Sequence, residues 1–370
     1  MRPAWAEVDL GAIAHNVRVL IQVARPAALC AVVKADGYGH GAVPVARAAL
    51  DAGAAWLGVA LAEEGVTLRD AGLDAPVLVL SEPQPAEMDL VAGFGLRPTV
   101  YSARGVDAAA KAAVRTGHAP LPVHLKVDTG MHRVGADPAD ALRLARMIAG
   151  HPELSLEGLW THCALTDEPD NPFTAEQLKR FRLVVDELAA AGLRPPLLHA
   201  ANSAGAIAHP ATRLDMVRCG IAVYGIPPSP GLDGAVDLRP AMSVKAQVSL
   251  VKRVAAGEGI SYEHRYFFER DSVVATVPIG YADGVRRRLY AVGGEVLIGG
   301  RRRPIRGVVT MDQLMVDCGD DESVQVGDEV VLIGDQSGER ITADDWAARL
   351  DSIGYEIVCG IGPRVPRRYR

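Results

Sequence analysis

The run Ala28-Leu29-Cys30-Ala31-Val32-Val33 leads into Lys34-Ala35-Asp36-Gly37-Tyr38-Gly39-His40-Gly41, and a helical pattern starts near Val43. An apolar stretch of strand length, a glycine-punctuated turn and a helix make one β/α unit. The turn opens on a lysine. Low dielectric at the end of a buried strand disfavours an ammonium and lowers its pKa. There a lysine amine becomes a Schiff-base nucleophile or a general base. A lone strand-end lysine more often snorkels to water, so the rest of the chain must decide.

The same unit recurs. Further apolar runs are Ala55–Ala60, Pro76–Leu80, Leu96–Val100, Val123–Val127, Leu156–Trp160, Leu197–Ala201 and Met216–Cys219. Between them lie alanine-rich segments of helical spacing, such as Val43–Ala52, Leu61–Ala71, Ala103–Thr116, Asp137–Ala149 and Ala175–Ala191. Pro138 and a Thr174 N-cap mark helix starts. Eight strands alternating with helices over about 230 residues predict an α/β fold, a (β/α)8 TIM-type barrel. The third and fourth units are short and interrupted by Pro83, Pro85 and Pro98. A doubly wound sheet competes, but no G-x-G-x-x-G follows any strand. Beyond Gly225 the texture changes. A proline- and glycine-rich linker, Ile226 to Pro240, precedes β-branched runs at Ser243–Val254, Ser272–Val277, Glu295–Ile298, Val308–Thr310, Leu314–Val316 and Glu329–Ile333, with one helix near Ala343–Asp351. The expected division is a barrel over 1–230 and a mostly-β C-terminal domain over 231–370.

A chain of 370 residues suits two domains, and 49% hydrophobic with 23% charged residues describes a soluble globular protein. A net charge of −6 disfavours nucleic acid as a partner. The clusters Arg286–Arg288, Arg301–Arg303 and Arg367–Arg370 are expected to be solvated or paired with carboxylates. Five cysteines without a C-x-x-C argue against a disulfide framework and a structural zinc site. No metal is expected. The N-terminal segment has no apolar h-region and no run reaches transmembrane length, so a cytoplasmic protein without a membrane partner is expected.

Barrel active sites sit at the C-terminal ends of the strands, with phosphate favouring the loops after strands seven and eight. On that basis one mouth gathers Lys34 and Tyr38; Lys126, Asp128, Thr129, Gly130 and Arg133; Thr161 and His162; His199, Asn202, Ser203 and Gly205; and Arg218 and Gly220. Each has a plain alternative. His162 suits a satisfied core histidine, the arginines suit ion pairs, and Ser203 suits an N-cap for a helix at Ala204–Ala208. Together, a strand-end lysine and an anion-binding turn suggest pyridoxal phosphate. Arg218 stands where a carboxylate would protonate the pyridine nitrogen. An arginine there leaves the nitrogen unprotonated, weakens the electron sink and favours racemisation over transamination.

Several segments carry a family resemblance. They are Ala31–Gly41, His124–Arg133, Thr161-His162, His199-Ala200-Ala201-Asn202-Ser203, Val217-Arg218-Cys219-Gly220-Ile221, Pro278–Gly284, Met311-Asp312-Gln313, Tyr355-Glu356-Ile357 and Pro363–Arg367. In order and spacing they resemble the bacterial alanine racemases over essentially the whole chain. The resemblance implies pyridoxal 5'-phosphate on Lys34, which is also one base. It implies Tyr262 as the opposite-face base, supplied by the C-terminal domain of a partner subunit in a homodimer. Cofactor contacts are implied for Tyr38, His162, Asn202, Ser203, Arg218, Gly220, Ile221 and Tyr355. Arg133 and the Met311 N–H are implied for the substrate carboxylate. Supporting roles fall to Lys126 (a position often carbamylated), His199, Tyr281 and Asp312. His132 and Glu263 depart from the usual residues, small and glycine respectively. The implied activity is interconversion of L- and D-alanine, supplying D-alanine for peptidoglycan. Competing readings are a racemase preferring serine or another small amino acid, a barrel-fold decarboxylase of basic amino acids, and a single-barrel cofactor-binding regulator.

Overall fold

The structure, a computed structural model, describes residues 2–370 and divides into two compact units. One comprises Gly11–Gly37 and Gly41–Arg239; the other comprises the segment ending at Leu10, Tyr38–His40 and Pro240–Arg370. The linker reading set the division at 230/231. The compact units divide at 239/240 instead, and strand β1 (Ala4–Val8) joins the second unit. The reason is backbone pairing: β1 runs antiparallel to Met242–Gln247 and parallel to Arg367–Tyr369.

The first unit is built on eight parallel strands: β2 (Ala28–Val32), β3 (Trp56–Val59), β4 (Val77–Val79), β5 (Arg97–Val100), β6 (Leu121–Lys126), β7 (Leu154–Trp160), β8 (Leu197–His199) and β9 (Met216–Cys219). They pair in sequence order from β2 to β8, and β9 pairs with β2. Between β8 and β9, Asp215 N–H donates to Leu198 O and Arg218 N–H to Ala201 O, each at 3.0 Å. These bonds bring the last strand onto the ring, so the sheet is TIM-like. All eight strands fall on the apolar runs. Even β5 keeps its place, with Pro98 opposite Val79 of β4. Burial of Leu121, Val123, Leu125, Leu159, Leu144, Ile148, Phe181 and Leu188 explains the alternation, because amphipathic helices cover a sheet apolar on both faces. A further helix, Leu10–Ala24, escaped the sequence reading. It buries Ile13, Val17 and Leu20, and its buried Asn16 binds Val223 O and Arg239 O. The Thr174 cap is also corrected. The helix runs Phe173–Ala190 with Pro172 at the cap position, and Thr174 lies buried within it.

The second unit has two antiparallel-rich sheets and a short antiparallel pairing of Gly259–Ile260 with Tyr266–Phe267. In the larger, Met242–Gln247 pairs with Glu329–Gln336, which pairs with Glu295–Ile298, which pairs with Arg301–Pro304. In the smaller, Ser272–Val277 lies between Leu250–Val254 and Leu314–Gly319. The single run expected at Ser243–Val254 is two strands. Val248 N–H goes to Asp328 O and Ser249 N–H to Thr276 O, so the chain changes sheet there. Val308–Thr310 is no strand, because Thr310 turns back on Gln313. Arg301–Arg303 and Arg367–Arg368 lie in strands: Arg301–Arg303 meet Glu295, Glu339 and Asp321, Arg367 donates to backbone carbonyls, and Arg368 stacks on Trp5. No helix of the described residues is long and apolar enough to cross a membrane.

Leu57 in β3 is fully buried and Leu183 is 62% exposed. Leu57→Ala is expected to cost about 2–5 kcal/mol in denaturant unfolding, and Leu183→Ala within ~0.5 kcal/mol. Equal losses at the two positions would contradict this core.

Candidate active site

Strand register assembles the site in the barrel unit. Lys126 of β6 lies opposite Trp160 of β7, and Trp160 lies opposite His199 of β8. The Trp160 ring stacks on His199 at 5.4 Å between centroids, 11° from parallel. The Arg218 guanidinium sits 4.5 Å and the Lys126 Nζ 4.2 Å from the Trp160 ring centre. Trp160 is therefore the platform of the site. In the sequence it is only the end of an apolar run; the available signal is that it closes its strand as Lys126 and His199 close theirs.

Arg218 is 4% exposed. Its Nη1 donates to His199 Nδ1 at 3.0 Å. Its Nη2 donates to Thr161 O and Ala200 O at 3.0 Å and lies 3.3 Å from His162 Nδ1. Among the described residues no carboxylate pairs with it, and Nε has no protein acceptor. Burial lowers its pKa to about 10, so it remains charged at neutral pH. Burial, and then the Arg218 charge, hold His162 and His199 well below the ordinary histidine value. Both are neutral acceptors for the guanidinium.

Lys126 is buried, and its pKa falls to about 7. Desolvation leads, followed by the charges of Arg218 and Arg133; Asp128 opposes and Lys34 adds to the fall. The same four cations or their neighbours depress His162, so Lys34, Lys126, Arg133 and Arg218 share one electrostatic neighbourhood. Arg133 is exposed and Lys34 half-buried. The expected mouth on the barrel unit is thus assembled for these residues. After Lys34 the backbone makes a left-handed turn, with φ of 51°, 50°, 60° and 51° at Ala35, Asp36, Gly37 and Tyr38. Ala35 N–H donates to Glu64 Oε1 and Ala42 N–H to Asp36 Oδ1, at 2.6 and 2.8 Å, which holds it.

The Ser203 cap is corrected. Asn202 caps the helix Ser203–Ala208, its Oδ1 accepting from Gly205 N–H at 2.8 Å and from Thr166 Oγ1 at 2.9 Å. Ser203 Oγ instead accepts from Gly220 N–H at 2.9 Å and Ala222 N–H at 3.4 Å. Its hydroxyl proton remains a donor. The N–H groups of Ser203, Ala204 and Ile221, at the starts of short helices, have no acceptor among the described residues. These donors suit a phosphate ester, and the leftover Arg218 Nε suits a pyridine nitrogen. Pyridoxal phosphate therefore fits the donor set.

The second unit holds the other expected residues. Tyr38 and Tyr355 are brought together, ring centres 6.3 Å apart. Tyr262 is 68% and Met311 52% exposed, and Tyr281 is also exposed. Tyr262 lies between Ser261 and Glu263, whose φ values are 64° and 63°. The Glu263 carboxylate is held by Arg265 Nε at 2.6 Å and approaches Arg287 at 3.6 Å, so its charge is answered locally. Tyr281 N–H donates to Thr310 O and Ala282 N–H to Met311 O, tying the two loops; Asp312 binds Arg364. His132, at φ 53°, is exposed, and its N–H donates to Asp128 Oδ1 at 3.1 Å.

NMR titration of 13Cε-labelled lysines, assigned with Lys126→Met, should give Lys126 a midpoint near 7. A midpoint near the ordinary lysine value of about 10.4 would rule out its desolvation beside Arg218.

Comparison with known proteins agrees over both units. The family model "Alanine racemase, N-terminal domain" matches residues 8–228 and "Alanine racemase, C-terminal domain" matches 241–369. The chain is 53% identical to the alanine racemase of Symbiobacterium thermophilum, covering 100% of this chain and 97% of that one. It is 43% identical to that of Desulfovibrio desulfuricans, covering 100% and 98%. Among solved structures, alanine racemase from D-cycloserine-producing Streptomyces lavendulae matches with a TM-score of 0.94 at 41% identity, covering 100% and 97%. The Bacillus anthracis alanine racemase with bound L-Ala-P matches with a TM-score of 0.93 at 39% identity, covering 100% and 95%. With the strand-end lysine and the buried arginine in place, and both domain models matched in order, this chain belongs to the alanine racemase family.

Proposed function

We propose that this protein interconverts L- and D-alanine, using pyridoxal 5'-phosphate and two bases on opposite faces of the substrate Cα. The observation that carries this reading is Arg218, buried at the end of β9 with a donor to spare and, among the described residues, no carboxylate beside it. When bound, the cofactor supplies the electron sink that makes the Cα proton acidic. A guanidinium at the ring nitrogen donates a hydrogen bond without surrendering its proton. Such a bond would keep the sink weak and would favour prompt return of a proton to Cα.

Lys34 anchors the cofactor and moves the proton on one face. Tyr262 moves it on the other, presented by the partner copy of a homodimer, and its exposure leaves it available for that role. Asn202, Ser203, Gly220 and Ile221 hold the phosphate end, with Tyr38 and Tyr355 as further contacts. His162 lies beside the Arg218 guanidinium, and His199 orients that guanidinium. Arg133 and the Met311 N–H receive the substrate carboxylate, since an arginine fork suits that anion. Lys126, with its pKa near 7, is substantially neutral at working pH, the state in which a lysine amine adds carbon dioxide. Forming the N–C bond releases one amine proton to solvent, and the resulting carbamate anion would steady Arg133. Tyr281 and Asp312 line the entrance. The product is D-alanine for peptidoglycan, made in the cytoplasm.

The protein with its cofactor should abolish the optical rotation of either alanine enantiomer without releasing carbon dioxide. Borohydride reduction and peptide mapping should mark Lys34. Carbon dioxide from lysine, ornithine or arginine, or a label on another lysine, would defeat the reading. Tyr262→Phe should lower racemisation about 10²–10⁴-fold from both enantiomers, because the products are equal in energy. Exchange of the α-proton with heavy water should survive for only one enantiomer. Exchange retained equally for both would exclude a two-base mechanism.

A further inference from the structure

The hydrogen bonding of Arg218 does not stop at His199. His199 Nε2 lies 2.9 Å from Nδ1 of His124 on β6, and His124 Nε2 lies 3.1 Å from Glu157 Oε2 on β7. The same carboxylate oxygen accepts from Arg97 Nε at 3.3 Å, on β5. Side chains from five strands thus form one line: Arg218, His199, His124, Glu157, Arg97. Arg218, His199 and His124 are buried.

Chemistry gives the line a direction. A guanidinium only donates, so His199 Nδ1 must accept. A neutral His199 then carries its proton on Nε2 and donates to His124 Nδ1. His124 in turn carries its proton on Nε2 and donates to the carboxylate. Each bond polarises the next, since aligned hydrogen bonds in low dielectric reinforce one another. Burial keeps both histidines neutral-leaning, and Glu157 is held below its ordinary range by His124 and Arg97 against the effect of burial.

The backbone makes room for this line. Gly158 faces His124 across the β6–β7 pair. A Cβ at 158 would lie 2.3 Å from His124 Nδ1, the atom that accepts from His199. Space for the imidazole, not backbone conformation, requires glycine here.

We propose that Glu157, acting through His124 and His199, is a remote positioning residue for Arg218, fixing the histidine tautomers and polarising the guanidinium that faces the cofactor ring. This rests on the racemase reading for its consequence, but the hydrogen-bond line itself does not. A carboxylate three hydrogen bonds away serves the buried cation without sitting where it would protonate the ring.

The test uses the holoenzyme with 15N-labelled histidine. Long-range 1H–15N NMR should show His124 and His199 as neutral Nε2–H tautomers. In Glu157→Leu, which removes the terminal acceptor, the His124 resonances should leave that pattern, the absorption band of the bound cofactor should shift, and kcat should fall about tenfold with the KM for alanine within about twofold. Glu157→Gln keeps an acceptor without the charge and should restore the His124 tautomer and part of kcat. Gly158→Ala should disturb the same resonances from the other side. Nδ1–H or doubly protonated histidines in the parent protein would overturn the proposal. So would a Glu157→Leu protein with parental resonances, band and kcat. If the tautomers are as expected but no variant or parent racemises alanine, the racemase reading fails and the hydrogen-bond line stands.

Discussion

The site depends on a positive charge kept inside the barrel without a carboxylate touching it. An unpaired buried ion costs several kcal/mol, and Arg218 meets that cost with dipoles and a ring. The carbonyls of Thr161 and Ala200, the Nδ1 of His199 and the face of Trp160 surround the guanidinium. A hydrogen bond to a charged group is worth about 1.5–3 kcal/mol, so this set is of the right order. Strand register brings this set together: Lys126, Trp160 and His199 lie opposite one another in consecutive strands, and β9 delivers Arg218. Burial, and then the accumulated positive charge, lowers the pKa of Lys126 and keeps His162 neutral.

A second constraint lies in the backbone. Non-glycine residues at positive φ occur at Ala35, Asp36 and Tyr38, at His132, and at Ser261, Glu263 and His264. These segments carry or flank Lys34, Arg133 and Tyr262, the groups proposed for proton transfer and carboxylate binding. Each such residue costs roughly 1–2 kcal/mol and persists only where its surroundings hold it. Glu64 and Asp36 hold the first segment, and Asp128 Oδ1 gathers the N–H groups of Gly130, Met131 and His132 in the second. Specific side-chain acceptors thus trade stability for placement of functional groups.

Much of this was legible in sequence. Short β-branched runs between alanine-rich helices mark buried parallel strands wherever they occur, so all eight barrel strands were found. Polar residues at their C-terminal ends stood out because buried strand ends seldom carry lysine, histidine and arginine together. What was missed depends on distant partners. β1 is a strand because it pairs with Met242–Gln247 and Arg367–Tyr369, and Arg367–Tyr369 because it pairs with β1, partners that lie far along the chain. Ser203 read as a cap because its contact with Gly220 lies beyond local spacing. His124 and Glu157 showed no local signal, since their meaning arises only when β6, β7 and β8 align.

The central claim is that Arg218 contacts the cofactor's pyridine nitrogen without protonating it. The direct measurement is the 15N chemical shift of that nitrogen in the protein loaded with ring-15N pyridoxal phosphate. The account predicts the shift of an unprotonated, hydrogen-bonded pyridine, moving in Arg218→Glu toward that of a pyridinium. A pyridinium shift with Arg218 in place would contradict it.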